Sequence, residues 1–249
     1  MRTGPVDVFV VEGSADAGWV QQVTHAIPIV TSRAGDLVEV GLATSLARPG
    51  GNVTGVQTLQ PQLAAKHLSL LKEAIPRLSR AGLLTPAPGR GATPGRGAAP
   101  AFRCEAEAGA KALGIALQSR TIRSADEFEA AFAAFRAERV SAVVVMRNRL
   151  LSTHTKTLVD IALKHKLPPI SDAPILARQG GLMSYGFDVR EAQRSAADIV
   201  DKILRGAKAS EIPVQQATKF QLLINLKTAK ALGLTIPQSV LLRADDVIE

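Results

Sequence analysis

The chain has 249 residues, 46% of them hydrophobic and 21% charged. That is apolar material for one large core or two small ones, and too little charge for a disordered chain. The formal charge of +8 is scattered over expected helices and loops, so it reads as a solvated basic surface. Aromatic residues at only 4% argue against a base-stacking nucleic-acid platform. Cys104 stands alone, which excludes an intramolecular disulfide. No run approaches the ~20 apolar residues of a membrane span.

Met1–Pro5 leads directly into Val6–Val11, the first expected strand. That run is too short for the hydrophobic part of a signal peptide, and Asp7 interrupts it. The chain as written is therefore expected to carry no export signal and to be cytoplasmic if its start is genuine. A helix-like segment opening at Gly13-Ser14-Ala15 precedes a second strand, Ile27–Thr31, and Val53–Thr58 is a third. Pro61–Ala74 places Leu63, His67, Leu70, Leu71 and Ala74 on one side at helical spacing. Ala81–Thr85 is a strand. Thr85–Ala101 is so rich in Gly, Pro, Ala and Arg that a loop is expected. A helix over Glu105–Leu113 stopping at Gly114 and a strand over Ile115–Ser119 follow. The helix Ala125–Glu138 carries Phe128, Phe132 and Phe135 as an apolar stripe that reads as core. Val140–Met146 is a continuous β-branched run, the mark of a strand covered on both faces. Helix Thr153–His165, strands Pro168–Ser171 and Leu182–Tyr185, helix Arg190–Arg205, strand Phe220–Ile224 and a last helix capped by Asn225 complete the series. Alternating strands and helices predict parallel α/β sheets, whose ligands lie beyond the carboxyl ends of the strands.

The sequence carries no recognisable catalytic or cofactor motif. Gly89–Gly97 (GRGATPGRG) is interrupted by Pro94 and lacks the strand-turn-helix setting of a dinucleotide loop. His25, His67, His154 and His165 have no i,i+4 pairing, so neither a metal nor a cofactor is expected. No nucleophile elbow is present. The informative residues are the polar ones just past expected strands: Ser14, Asp36, Arg147-Asn148-Arg149, Asp172 and Tyr185. Ser14 with nearby amides suits a carboxylate, and Asp36 or Asp172 suits an ammonium. Ser14 and Asp36 can equally be helix caps, and each residue of the set taken alone is more often structural, but together they fall on the same expected edge of two sheets.

Several long blocks resemble the ABC-transporter substrate-binding protein family whose relatives include tryptophan- and tyrosine-type binders. They are residues 27–56 (IPIVTSRAGDLVEVGLATSLARPGGNVTGV), 63–76 (LAAKHLSLLKEAIP), 180–186 (GGLMSYG), 212–237 (IPVQQATKFQLLINLKTAKALGLTIP) and 241–249 (LLRADDVIE). The resemblance implies a type I periplasmic-binding fold: two Rossmann-like lobes with parallel sheets, joined by a three-strand hinge. By it, one lobe holds 1–78 with 181–211, and the other 79–180 with 212–249. The implied function is capture of a small organic solute, an amino acid among the candidates, between the lobes and delivery to an ABC permease. No catalysis, nucleic acid or membrane insertion is implied, and the location is periplasmic. Ser14, Asp36 and Tyr185 would serve the first lobe, and Asn148 and Asp172 the second. Against the family pattern the chain starts late, so the first lobe is expected to be incomplete, and segment 85–101 departs from it. The alternatives are a truncated, non-functional remnant, or a ligand-sensing regulator of the same fold without a DNA-binding domain.

Overall fold

Each continuous β-branched run of the sequence becomes a strand of one of two sheets, and each amphipathic stretch a helix covering a sheet face. The computed structural model describes residues 5–58, 60–87 and 98–249. In chain order the elements are β1 (Phe9–Val11), α1 (Ser14–Val23), β2 (Ile29–Ala34), β3 (Val53–Gln57), α2 (Leu63–Ala74), β4 (Arg80–Pro86) and α3 (Ala98–Ala112). Then come β5 (Ala116–Ile122), α4 (Phe128–Ala137), β6 (Ala142–Val145), α5 (Arg149–Thr153), α6 (Thr155–Lys164), β7 (Pro169–Ser171), α7 (Pro174–Arg178) and β8 (Met183–Phe187). The chain closes with α8 (Val189–Leu204), β9 (Gln215–Gln216), β10 (Phe220–Asn225), α9 (Leu226–Ala231), α10 (Gln238–Leu241) and β11 (Asp246–Ile248).

Two compact units result. The first comprises Met1–Leu59 with Phe187–Lys219, and the second Gln60–Gly186 with Phe220–Glu249. The first holds a four-stranded sheet ordered β1-β2-β3-β9, parallel throughout. The other sheet runs β11-β10-β8-β7-β6-β4-β5. Within it β5, β4, β6, β7 and β8 pair parallel in succession. This is the doubly wound order in which the chain reverses direction between β4 and β6.

The chain crosses between units at 59/60, 186/187 and 219/220, whereas sequence reading sets the crossings at 78/79, 180/181 and 211/212. Packing explains the difference. Leu68, Leu71 and Ala74 of α2 are buried with Leu83 of β4, Val144 of β6 and Phe102 of α3, so α2 belongs to the second unit. Met183 of β8 pairs with Ile170 of β7 and shares that core. Ile212 packs instead with Val30, Val56 and Ile199 of the first unit.

The expected phenylalanine stripe on α4 is core: Phe128, Phe132 and Phe135 are fully buried against Val143 and Val145 of β6 and Val159 of α6. Burying each ring contributes up to about 3 kcal/mol. One segment differs from expectation. Residues 98–101, read as part of a loop, form the first turn of α3, where three alanines outweigh Pro100, which the first turn tolerates. Residues 88–97, including the glycine-rich motif, lie outside the described residues.

A backbone constraint fixes the first sheet. Gly55, midway along β3, has φ +137, and a Cβ there would sit 2.2 Å from the Thr31 carbonyl oxygen of β2. Only glycine fits both the angle and the gap. Gly55→Ala is expected to lower unfolding free energy by about 2 kcal/mol, read from the midpoint of a urea transition. An unchanged midpoint would contradict this account.

Candidate functional site

Parallel strands deliver their carboxyl ends, and the loops that follow, to one edge of each sheet. In the first unit that edge begins after β1, where Glu12 forms an ion pair with Arg33 of β2. Ser14 opens α1 beside Gly35, so close that a Cβ at 35 would lie 3.6 Å from Ser14 Oγ. Asp36 Oδ1 accepts the amides of Val38 and Glu39 at 2.9 and 3.0 Å, which is local turn capping. Buried Gln57, at the end of β3, accepts the Leu37 amide at 3.4 Å. A hollow of about 600 Å³ in this unit is lined by His25, Pro28, Asn52, Gly206 and Lys208. Pro28 and Asn52 precede β2 and β3, so the hollow is on the amino edge, and neither Ser14 nor Asp36 lines it.

In the second unit, the carboxyl edge is organised by one ion pair. Arg147, just past β6, directs Nε to Asp172 Oδ2 at 2.9 Å. The two side chains are 15% and 3% exposed, so the carboxylate is nearly withdrawn from water. Asn148 caps α5 by accepting the Leu151 amide at 2.8 Å. Gly186 closes on Asp172: a Cβ there would be 2.1 Å from the Asp172 carbonyl oxygen. Tyr185 stacks flat on Phe220, with ring centroids 5.4 Å apart. Partial burial pushes its phenol up from the ordinary range, and Asp245 adds to this while Arg243 opposes it.

Beneath this edge lies His67 of α2, fully buried. Its Nε2 is 2.7 Å from the Tyr185 carbonyl oxygen. A carbonyl only accepts, so Nε2 carries the proton and Nδ1 is left with a bare lone pair. Nδ1 has no hydrogen-bond partner among the described residues. Burial lowers the imidazole's proton affinity below the ordinary value, outweighing the Tyr185 carbonyl and the negative charge of Asp172. Further along the edge, Arg103 of α3 donates Nη2 to Thr121 Oγ1 at 2.8 Å and toward Thr85 Oγ1 at 3.4 Å.

Of the five residues singled out by sequence, Ser14 and Asp36 lie in the first unit, and Asn148, Asp172 and Tyr185 in the second. Tyr185 was assigned to the first lobe; its strand pairs with β7, which places it in the second. Sequence reading missed His67 as more than a core position, and missed Arg103, Thr85 and Thr121. Their partners are 18 to 118 residues away, and no local pattern marks them.

Two units of parallel α/β structure, with the chain crossing between them three times, define the fold of the type I periplasmic binding proteins. The chain belongs to the ABC transporter substrate binding protein family, whose profile matches residues 1–248. It is 26% identical to an ABC domain from Streptococcus pneumonia solved in complex with L-Trp, with a TM-score of 0.83, covering 97% of this chain and 79% of that one. A conserved domain protein from Vibrio cholerae O1 biovar eltor strain N16961 is 28% identical, with a TM-score of 0.84, covering 98% and 79%. A tyrosine-binding protein of Clostridioides difficile (strain R20291) is 24% identical over 211 residues, 85% of this chain. The match spans only 58% of that protein's length. A LacI family regulator from Arthrobacter sp. FB24, complexed with lactose, is 16% identical with a TM-score of 0.62 and shares the fold.

Two measurements test this edge. Asp172→Ala removes the carboxylate facing the mostly buried Arg147 guanidinium and is expected to destabilise by about 3 kcal/mol, with Asp172→Asn milder, by chemical denaturation; equal stability of all three proteins would refute a structural pair. The second concerns His67. Its folded proton affinity is below the unfolded one, so the unfolded chain binds more protons as pH falls. The stability it contributes is present above the ordinary histidine value of about 6.5 and is lost on acidification below it. His67→Gln keeps the donor to Tyr185 and should flatten the stability profile between about pH 7.5 and 5; an undiminished slope would remove His67 as its source.

Proposed function

We propose that this chain is the solute-capturing component of an ABC importer, taking up a small organic solute, foremost an amino acid, in the periplasm and handing it to a membrane permease. The observation that carries the reading is the family match along residues 1–248. The L-Trp complex of one similar structure and the tyrosine-binding name of another relative support an amino-acid cargo. No helix among the described residues is long and apolar enough to cross a membrane, in keeping with a chain that meets its permease from outside the bilayer.

In this reading the work is binding and release, without covalent chemistry. Ser14 and the free amides at the start of α1 offer donors to a carboxylate. Asp36 retains Oδ2 beside its capping oxygen, and Asn148 its amide, for polar contact with the solute. Tyr185 and Phe220 offer stacked ring edges. Closure on a ligand follows when the solute favours one conformation over another. A ligand-sensing regulator is a second reading, supported by fold likeness to the lactose-bound LacI family protein.

The test is a thermal-shift screen of the full chain. The panel holds the twenty amino acids, amine-free 2-hydroxy acids of leucine and phenylalanine, succinate, the decarboxylated amines of both amino acids, and simple sugars. A ligand at 100 times its Kd adds about 2.7 kcal/mol, which raises the Tm by about 5–10 °C for a chain of this size. A blank panel would overturn the importer reading, and tight, salt-sensitive binding to duplex DNA would then favour the regulator.

A further inference from the structure

We infer that Arg103 is the anion-recognising group of the second unit's carboxyl edge, so that the solute is selected by its carboxylate rather than its amine. This rests on the solute-binding reading above.

The placement comes first. The strand order of the second sheet reverses between β4 and β6, and a doubly wound sheet opens a crevice at the carboxyl end of such a pair. Thr85 is the penultimate residue of β4 at that end, and it is fully buried. Arg103 reaches down from α3 onto it from the β5 side, where it also meets Thr121.

The second element is how the guanidinium is held. Nη2 contacts the Thr121 and Thr85 hydroxyls, which are themselves 3.3 Å apart. Thr85 Oγ1 also has the Arg120 carbonyl as an acceptor at 3.4 Å, so the hydroxyl keeps a lone pair for Arg103. Hydroxyls orient a cation without cancelling its charge. Three other arginines in this unit are neutralised directly: Arg120 by Glu138, Arg147 by Asp172 and Arg243 by Glu73. Arg123 and Arg149, also just past strand ends, share the lack of an acidic partner among the described residues, but no hydroxyl aims either of them. None of the ion pairs among the described residues includes Arg103. It is half-buried, aimed, and uncompensated, with Nε and Nη1 free of protein partners among the described residues. A planar fork in that state suits the two oxygens of a carboxylate.

The third element is the position of the acids. Asp172, put forward from sequence for an ammonium, is committed to Arg147 and is 3% exposed. Asp172 therefore offers its charge to Arg147 and not to a solute ammonium.

The experiment titrates the same panel into the wild type, Arg103→Gln and Arg103→Lys by calorimetry. Every ligand that binds the wild type is expected to carry a carboxylate. The 2-hydroxy acids of leucine and phenylalanine should bind within about threefold of their amino acids, and the decarboxylated amines should give no heat. Arg103→Gln should weaken carboxylate binding at least tenfold, and Arg103→Lys, which keeps the charge and loses the fork, should fall between. The melting temperature of the unliganded variants checks that they fold; if Arg103→Gln does not, the lysine variant decides alone. Unchanged affinity in the folded variants, or amines or sugars binding as well as acids, would overturn the inference while leaving a solute-binding protein. A wild type that binds nothing in the panel would overturn both.

Discussion

A parallel strand buried on both faces leaves polar chemistry one place to go, and that constraint arranges this molecule. Val143, Val144 and Val145 of β6 are completely or almost completely buried, alternating between two cores on opposite faces of the sheet. No charge can be accommodated along such a strand without a large desolvation cost. The charge appears one step past Met146, as Arg147, and meets Asp172 at the matching end of β7. The pair is itself nearly dry, so it holds two loops in register rather than offering free charge to a ligand. Gly186 then lets β8 approach within a distance that no side chain would permit, so the floor of the edge is set by backbone contact.

The consequence reaches His67. Its Nε2 proton is fixed by the Tyr185 carbonyl, and Tyr185 is the residue before the last one of the second unit at the 186/187 crossing. The same tyrosine stacks on Phe220, the first residue after the 219/220 crossing. One buried imidazole and one ring stack thus tie both of these strands to the core of a single unit. An orphaned Nδ1 in that position costs stability, and it also makes the anchor sensitive to acid in a way an apolar residue would not be.

How much of this was legible follows from the range of each interaction. The strands and the phenylalanine stripe are local patterns of period two or 3.6, and the sequence displays them directly. Asp36 and Asn148 are legible as residues just past strands, and a side-chain oxygen of each accepts backbone amides two or three residues on, a capping role that sequence left open for Asp36. The unit boundaries were not legible, because whether α2 packs on one sheet or the other depends on Leu83, Val144 and Phe102, residues far along the chain. The grouping of Arg103 with Thr85 and Thr121 was hidden for the same reason, and further masked by the glycine- and proline-rich segment that separates β4 from α3.

The relatives mark the limit of inference by likeness. At 26% and 28% identity the fold is retained with TM-scores of 0.83 and 0.84, so most positions differ while the fold does not. Cores tolerate such change as long as volume and apolar character persist. Recognition has no comparable tolerance, because a single charged group at a strand tip alters which solutes are bound. Shared architecture therefore establishes the kind of protein, and the identity of the cargo has to be read from the few polar groups at the sheet edges. In the second unit, one such group is the Arg103 guanidinium, aimed by two hydroxyls and without an acidic partner among the described residues.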